Sequence, residues 1–353
     1  MDWNFILFSL VKIVVAIGLL HTLAGYAVLV ERKVSAWIQD RVGPNRAAPP
    51  FVKYIPVVGP VLTRWGVFQP LADGLKFLLK EDFTPAGVRK AYFWLAPAIS
   101  IIPSILVIAV IPFGSQIGHQ KMVIADLNVG ILYTFGIVSL GVYGIVLAGY
   151  AANSKYPFLG GIRSSAQMIS YEIAMGMSVI PVLLIAGNLN LSTIIQWQTT
   201  HGWLVGYAPL SFLIFLIASF AETNRLPFDL PEAETELVGG YHTEYSSMKF
   251  ALFFLAEYSN MIASAGMMVT LFFGGWTLPF WGLDRPAASL GLGVVQVLIF
   301  LAKMLVFMLL FIWVRWMLPR FRYDQLMDLG WRRFVPLALL NIFITALVLW
   351  ARS

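Results

Sequence analysis

The chain has 353 residues, of which 59% are hydrophobic and 12% are charged, and its mean hydropathy is +0.78. Soluble domains carry roughly 25% charged residues, so this composition excludes an ordinary soluble protein and predicts a membrane protein. The sequence contains no cysteine, which excludes a thiolate-bound iron–sulfur cluster, a disulfide framework and a Cys-based zinc site within this chain. Its net charge of +6 gives no argument for nucleic-acid binding, because membrane topology accounts for where the basic residues lie.

The apolar residues form long uninterrupted runs, which predict helices rather than the short alternating strands of a β-barrel. Runs of about 20 residues are long enough for a helix to span a membrane. Eight candidates cover roughly 4–30, 93–113, 128–151, 166–187, 203–221, 248–275, 291–315 and 334–351. The first has no basic segment before it and is too long for the apolar part of a cleavable signal peptide. The predicted fold class is an all-α polytopic membrane protein, with 1–353 as a single membrane domain.

Basic residues are concentrated on one side of the predicted bundle. Nineteen of the 24 lysines and arginines lie in or beside the segments 31–92, 152–165, 222–249 and 315–333. The positive-inside rule therefore places these segments in the cytoplasm. Eight spans then put both termini on the periplasmic side of a bacterial inner membrane.

The first cytoplasmic segment, 31–92, is too long for a simple connection. It opens with Glu31-Arg32-Lys33 at the end of the first span, and Gly43-Pro44-Asn45 predicts a turn. Over 68–82, apolar residues recur at helical spacing: Phe68, Leu71, Leu75, Leu78 and Leu79. This pattern predicts an amphipathic helix that lies on the membrane surface, under a partner domain or against the protein's own loops.

A second segment on the same side, 222–247, is rich in acids. The stretch 221–246 holds six of the chain's 18 acidic residues: Glu222, Asp229, Glu232, Glu234, Glu236 and Glu244. Most acidic runs are solvated surface loops, but here apolar residues and two prolines interleave with the acids. A carboxylate cluster beside membrane-length helices is costly unless water, partners or protons compensate the charge.

Four ionisable residues, Lys12, Glu172, Glu257 and Lys303, fall well inside predicted spans, and Glu222 ends the fifth span. A carboxylate inside the membrane costs at least ~2.5 kcal/mol on insertion scales. That cost favours a functional role over a structural ion pair or a hydrogen-bonded neutral acid. Together with the acidic segment, Glu172, Glu222 and Glu257 form a chain of protonatable groups, which is the composition of a proton relay.

The sequence has no motif for a redox centre or a complete active site of its own. Its four histidines lack the paired spacing of a membrane haem site, and it contains no phosphate-binding loop, dinucleotide fingerprint or nucleophile elbow. His242, within the acidic segment, is the one histidine that we consider a candidate functional residue. We predict no catalytic group and no metal ligand set in this chain alone.

Four segments resemble one family of membrane subunits: ERKVSAWIQDRVGPNR (31–46), QPLADGLKFLLKE (69–81), QMISYE (167–172) and AETNRLPFDLPEAETELVGGYHTEYS (221–246). They are similar to the H subunit of the proton-pumping NADH:quinone oxidoreductase, respiratory complex I, the counterpart of the mitochondrially encoded ND-one subunit. The resemblance covers nearly the whole chain. It implies an all-helical subunit at the heel of the membrane arm, against the quinone-site subunits of the peripheral arm.

The resemblance implies two sets of site residues. One set would line or brace the quinone chamber and its entrance: Glu31, Arg32, Arg41, Arg46, Asp73, Arg225 and Asp229. The other would belong to the proton-coupling path: Glu172, Glu222, Glu232, Glu234, Glu236, Glu244 and Glu257. The physical hypothesis is that charge on the reduced quinone shifts the pKa values of the acidic segment, and that the shift propagates along coupled carboxylates.

The resemblance also implies that this chain holds no covalently bound cofactor. Quinone would be its substrate, whereas NADH, FMN and the iron–sulfur clusters would belong to partner subunits. The implied partners are the quinone-site subunits of the peripheral arm, the neighbouring small membrane subunits and membrane lipid, with no nucleic acid.

Three other interpretations remain open from the sequence. A homologous subunit of a membrane-bound hydrogenase, or of a quinone reductase with another donor, would share the pattern of spans. A stand-alone cation/proton transporter would explain Glu172, Glu257 and Lys303 as an ion path, but not a long basic segment suited to docking a large partner. The carboxylates inside the spans disfavour a purely structural membrane anchor.

Overall fold

The computed structural model describes residues 3–50, 52, 55, 58–117, 120–279, 284–287 and 289–352. Within these ranges, the description leaves out the side chains of residues 3–5, 117, 234 and 235. The side chain of Glu234, one of the predicted proton-coupling residues, therefore lies outside the described residues.

The described residues are mostly helical. The helices are α1 Trp3–Ile38, α2 Val58–Trp65, α3 Gln69–Leu79, α4 Lys90–Leu106, α5 Gly130–Ala151, α6 Lys155–Ala186, α7 Leu191–His201, α8 Leu204–Tyr207, α9 Pro209–Glu222, α10 Glu234–Leu237, α11 Ser247–Phe272, α12 Leu290–Met317, α13 Tyr323–Asp328 and α14 Val335–Arg352. Tighter or wider helical turns occur at Val107–Val110, Gly240–His242 and Leu329–Phe334. Two short antiparallel strands, β1 Gln116–Ile117 and β2 Gln120–Lys121, pair with each other.

Seven helices among the described residues are long and apolar enough to cross a membrane, which confirms the all-α polytopic class. The predicted fifth span folds differently, as α8 and α9, and α9 has only 14 residues. Pro209 has no amide hydrogen and is tolerated at the first position of a helix, so a new helix begins there. α9 rises only about 21 Å, less than the ~30 Å hydrocarbon core. The placement of the termini depends on the span count and stays a prediction.

The first helix extends past the predicted end of the first span. We expected Glu31, Arg32 and Lys33 to begin a loop, but α1 continues to Ile38. Their charges find partners on the helix: Lys33 Nζ donates to two backbone carbonyls at 3.0 Å, and Glu31 pairs with two arginines described below. A hydropathy window ends where charges begin, whereas a helix continues while its charged side chains are compensated.

Helix α6 begins at Lys155 rather than near residue 166, so Arg163 and the pair Gly160-Gly161 lie on a helix instead of in a loop. Gly160 packs against the acidic segment, where an added Cβ would lie 2.8 Å from the Tyr241 amide nitrogen. Gly161 faces α5, where an added Cβ would lie 3.3 Å from a backbone carbonyl oxygen. The two glycines therefore allow backbones to approach closely rather than forming a turn.

Helix α7 forms in a stretch where the predicted spans leave no helix. The Asn190 side chain starts it by accepting a hydrogen bond from the Thr193 amide at 3.1 Å. Its inner face buries Ile194 and Ile195, and it packs against α11. His201, which we expected in a loop, is the last residue of this helix.

The long helices pack side by side into one bundle. α4 packs against α5 and α11, α5 against α6, and α6 against α9 and α14. α11 also contacts α1, α7, α9 and α12, and it is the most buried of the seven long helices. Side chains on α11 are therefore shared with several neighbouring helices.

The acidic segment folds into the bundle rather than into water. Between α9 and α11, its apolar side chains Phe228, Leu230, Leu237 and Tyr241 are each at most 6% exposed. Burying a side chain of this kind contributes about 1.5–3 kcal/mol. The apolar residues thus hold the interleaved acids against α6 and α11, which a solvated loop would not do.

Candidate functional site

Three carboxylates from different parts of the chain line one cavity. Glu222 comes from the end of α9, Glu232 from the acidic segment and Glu257 from α11. The cavity has about 470 Å³ of empty space, including its opening. Its other polar lining residues are Ser100, Thr223, Asn224, Tyr241 and Asn260. A space lined in this way has both the room and the polar partners that ordered water requires.

A second cavity, of about 440 Å³, lies on the other side of Glu222. Glu222 and Asn260 line both cavities, whereas most of the second lining is apolar and comes from α5, α6, α9 and α11. Glu222 is 3% exposed, and neither of its carboxylate oxygens has a hydrogen-bond partner among the described residues. An unpartnered buried carboxylate is far more stable protonated or hydrated than as a dry anion.

Glu172 continues the series of carboxylates into α6. It accepts a hydrogen bond from the Ser139 hydroxyl on α5. Glu172 also lies close enough to Glu222 for the two charges to repel each other. Glu172, Glu222 and the acids of the first cavity therefore form a connected series rather than isolated buried acids.

An ion cluster adjoins the first cavity. The Arg225 guanidinium lies between two carboxylates, with Nη1 2.7 Å from Glu31 Oε2 and Nε 2.6 Å from Glu257 Oε1. Arg315 of α12 pairs with the other oxygen of Glu31. The Tyr258 hydroxyl donates to Glu31 Oε2 at 2.8 Å, and its ring lies 4.2 Å from the Arg225 guanidinium carbon. We call these five residues the Arg225 cluster.

Two acids of the acidic segment are buried beside this cluster. Burial raises the pKa of Asp229, although Arg320 Nη2, 3.2 Å from Asp229 Oδ2, acts in the opposite direction. Burial and the nearby charges of Glu257 and Asp229 hold the pKa of Glu232 well above its ordinary value. Glu232 is therefore suited to hold a proton that an exposed glutamate would release.

His242 lies beside Glu232, with Nδ1 3.8 Å from Glu232 Oε1. Its ring packs against Phe250 and Phe254 of α11. Burial lowers the pKa of His242 to about 4. Near neutral pH the imidazole is thus uncharged, and the proton of this pair resides on the carboxylate.

The sequence-predicted entrance residues divide into two groups. Glu31 and Arg225 lie in the Arg225 cluster and directly contact Glu257, which the resemblance assigns to the proton path. Arg32 lies farther out, where its guanidinium pairs with Asp73 of α3 at 2.8 Å. The remaining two, Arg41 and Arg46, are exposed.

Two predicted coupling residues lie outside the cavity. Glu236 is half exposed and pairs with Arg163 of α6 at 2.6 Å. Glu244 is half-buried and, like Glu236, is not among the residues that line the first cavity. The structure therefore brings Glu222, Glu232 and Glu257 together and leaves these two glutamates apart from them.

Comparison with known proteins gives the family. A family profile described as NADH dehydrogenase matches residues 11–346. The first of the numbered H subunits of NADH-quinone oxidoreductase in Cytophaga hutchinsonii is 48% identical over 330 residues, which is 92% of this chain and 91% of that protein. The H subunit of the same enzyme in Flavobacterium psychrophilum is 46% identical, with 99% of each chain covered. The chain belongs to this NADH dehydrogenase family.

Membership of this family confirms the resemblance that the motifs carry. Subunit 8 of the NADH-quinone oxidoreductase of Rhodothermus marinus is likewise 50% identical over 333 residues, 92% of each chain. The chain is thus a membrane subunit of an oxidoreductase complex, without a complete active site of its own. As a member of the family it is a multi-pass membrane protein whose partners are other subunits of that complex. The described residues contain no group of histidines and carboxylates that could hold a metal ion.

The sequence interpretation missed several residues that the structure brings into contact with the predicted ones. Arg315 and Arg320 were counted only as basic residues of the cytoplasmic face, yet they pair with Glu31 and Asp229. Asn260 lies on the same helix as Glu257, three residues later, and lines both cavities. The helical spacing of Glu257 and Asn260 is a signal that the sequence does contain, since residues three apart share a face.

Proposed function

We propose that the chain forms part of the quinone chamber and its entrance, and that it couples quinone reduction to proton translocation through buried carboxylates. The observation that carries this proposal is Glu222, a buried carboxylate without a hydrogen-bond partner among the described residues, which lines two neighbouring cavities. A carboxyl group in this position can exchange a proton with water on either side. Glu232 and Glu257 would act on one side, and Glu172 on the other.

The Arg225 cluster supplies the electrostatic link in this proposal. Arg225 touches Glu31, of the proposed quinone side, and Glu257, of the proposed proton side. A unit charge roughly 8 Å away, at an effective dielectric constant of about 20, changes the energy of a carboxylate by about 2 kcal/mol, or about 1.5 pKa units. Charge arriving on quinone near Glu31 would therefore be large enough to change the protonation of neighbouring acids.

The outer residues would form the approach to the chamber. We propose that Arg32, Asp73, Arg41 and Arg46 brace the entrance, where α3 presents Leu71, Leu75, Leu78 and Leu79 to its surroundings. This face would lie in the cytoplasm of a bacterial cell, beside the quinone-site subunits, with both termini on the periplasmic side of the inner membrane. NADH, FMN and the iron–sulfur clusters would belong to the partner subunits. Of the other predicted coupling residues, Glu234, Glu236 and Glu244 would supply protons from the cytoplasmic side.

Replacing Glu222 by Gln tests the proposal, because the amide keeps the size of the side chain but cannot carry the proton. We expect proton translocation by the complex in membrane vesicles to fall at least about tenfold, while ferricyanide reduction by the peripheral arm stays intact. The Glu172→Gln variant should behave similarly, and so should Glu234→Gln.

The matched control is Asp324→Asn, an acid that is 69% exposed and pairs with Arg322 away from the cavities. It should translocate protons normally. Normal translocation by the Glu222→Gln and Glu172→Gln variants would rule out the carboxylate path.

A further inference from the structure

One charged residue inside the bundle is not used by the proposed function. Lys303 lies near the middle of α12, 13 residues after its start at Leu290. Beside it, the chain leaves helical geometry at the end of α11, and Gly274 and Gly275 adopt positive φ angles of 69° and 57°. Irregular backbone at this depth exposes carbonyl groups that need partners inside the protein.

Lys303 supplies those partners. Its Nζ donates to the carbonyl oxygens of Phe273 at 2.7 Å, Gly275 at 3.0 Å and Thr277 at 2.5 Å. The Trp203 ring lies 4.8 Å from the same nitrogen. An ammonium group has three N–H donors, and here each has a carbonyl acceptor.

A neutral amine would not fit the same place. It has two N–H donors and a lone pair, so the lone pair would face a third carbonyl oxygen. The three carbonyls therefore favour the charged ammonium. This geometry opposes a role for Lys303 as a proton carrier, because a carrier must release its proton in each cycle.

Gln198 of α7 holds the same stretch of backbone from another side. Its Nε2 donates to the Thr270 carbonyl at 2.9 Å, and its Oε1 accepts from the Gly274 amide at 2.9 Å. The side chain is 2% exposed. We call Gln198 and Lys303 the α11 clamp, because together they fix the outer end of α11.

The clamp bears on the ion cluster at the other end of the same helix. α11 carries Glu257 and Tyr258, which contact Arg225 and Glu31. α12 carries both Lys303 and, twelve residues later, Arg315, so it holds the end of α11 at one level and Glu31 at the other. A helix is stiff along its axis, and a change at its clamped end is therefore transmitted to Glu257.

We propose that Lys303 is a positioning residue: it remains protonated, holds the end of α11 through the α11 clamp, and thereby sets the position of Glu257 against Arg225. This proposal rests on the proposed function only in giving Glu257 a role in coupling. The charged or titratable groups that face Glu257 are Arg225, Glu31, Arg315, Asp229 and Glu232.

The experiment compares the Lys303→Met and Gln198→Leu variants in the assembled complex. Gln198→Leu weakens the clamp without removing a titratable group. In both, we expect the pH profile of quinone reduction to move by about one unit toward higher pH, because Glu257 loses part of the guanidinium contact that favours its charged form. The double variant should move the profile no further than the larger single effect, since both residues act on the same backbone. In a Glu257→Gln background, neither substitution should move the profile.

Lys12→Met is the matched control. Lys12 is another lysine within a spanning helix, and its Nζ donates to the carbonyls of Lys121 and Val123, away from α11. It should leave the pH profile unchanged. If Lys303→Met does not assemble, Lys303→Gln, which retains two N–H donors, replaces it in the same comparison.

Three results would overturn the proposal. Loss of proton translocation in Lys303→Met with a normal Gln198→Leu variant would make Lys303 a proton carrier. A shift that persists in the Glu257→Gln background would mean that the clamp acts elsewhere. A cryo-electron microscopy structure of the Lys303→Met complex with the Arg225–Glu257 contact unchanged at 2.6 Å would also contradict it. This last measurement stands even if Glu222→Gln shows the carboxylate path to be wrong.

Discussion

Arg225 holds the ion cluster together because its planar guanidinium presents several donors at fixed angles. It is 2% exposed and lies between carboxylates of α1 and α11. A lysine ammonium is a point charge and would not bridge both acids in the same way. With Arg225 removed, Glu31 and Glu257 would keep Arg315 as their remaining close cation, at one edge of the cluster.

Replacing Arg225 by Met should lower the amount of assembled complex in the membrane by about tenfold or more. Breaking a buried ion pair from one side costs about 3–5 kcal/mol, because it leaves the partner charge uncompensated. Arg225→Lys should recover only part of the loss. Native gels of solubilised membranes measure the assembled fraction.

Arg322→Met is the control, since this arginine is 72% exposed and pairs with an exposed aspartate. Its removal should change the assembled fraction little, because exposed pairs contribute about 0–1 kcal/mol. Equal effects of the two substitutions would contradict the importance assigned to burial.

His242 gives the acidic segment a dependence on pH. Its pKa is about 4 in the folded chain, against about 6.5 for an exposed histidine. The unfolded segment thus binds the proton more readily, and folding loses stability as pH falls from about 6.5 to 4, by up to about 3 kcal/mol. Glu232 and Asp229, with raised pKa values, act oppositely and destabilise the folded segment as pH rises.

The amides of 223–246 should therefore be best protected from hydrogen exchange at an intermediate pH. The His242→Asn variant should retain protection at acidic pH, while the loss on the alkaline side stays as in the parent protein. Hydrogen exchange with mass spectrometry, corrected for the intrinsic rate at each pH, measures both sides. An unchanged acidic loss in the variant would show that another group is responsible.

At the scale of elements, the contact between α6 and the acidic segment depends on the absence of a side chain at Gly160. A Cβ there would lie 2.8 Å from the Tyr241 amide nitrogen and 2.9 Å from Gly240 Cα. Both are backbone atoms, which cannot turn aside as a flexible side chain would. The acidic segment would have to move away from α6.

Replacing Gly160 by Ala should destabilise the acidic segment by about 1–3 kcal/mol and increase its cleavage by protease in detergent-solubilised complex. Gly176→Ala is the matched control on the same helix, since an added Cβ at Gly176 meets nothing within 4 Å. That control should be neutral or slightly stabilising, because alanine favours helix by up to about 1 kcal/mol. Equal cleavage of the two variants would contradict the close contact.

Hydropathy predicted the elements whose length is set by lipid. The predicted run 128–151 appears as Gly130–Ala151, and 334–351 appears as Val335–Arg352. The end of α1 could not be predicted, because it depends on a hydrogen bond between Glu31 and Arg225 that spans 194 positions. The early start of α6 could not be predicted either, because it depends on a backbone contact with Gly240.

At the scale of the whole molecule, the Arg225 cluster joins α1, the acidic segment, α11 and α12. The sequence identified most of its acids, because carboxylates next to apolar runs are conspicuous. It did not pair Glu31 with Arg315, which is 284 positions away, since no periodicity relates them. Residue types could thus be predicted from sequence, and their partners could not.

The length of α1 has a further consequence for the surroundings of that cluster. The helix has 36 residues and is about 54 Å long, well beyond the ~30 Å of a hydrocarbon core. Glu31 follows the apolar run and is surrounded by α11, α12 and the folded acidic segment. The protein itself thus provides the low dielectric constant around this carboxylate, and exchanging one lipid mixture for another would leave its nearest neighbours unchanged.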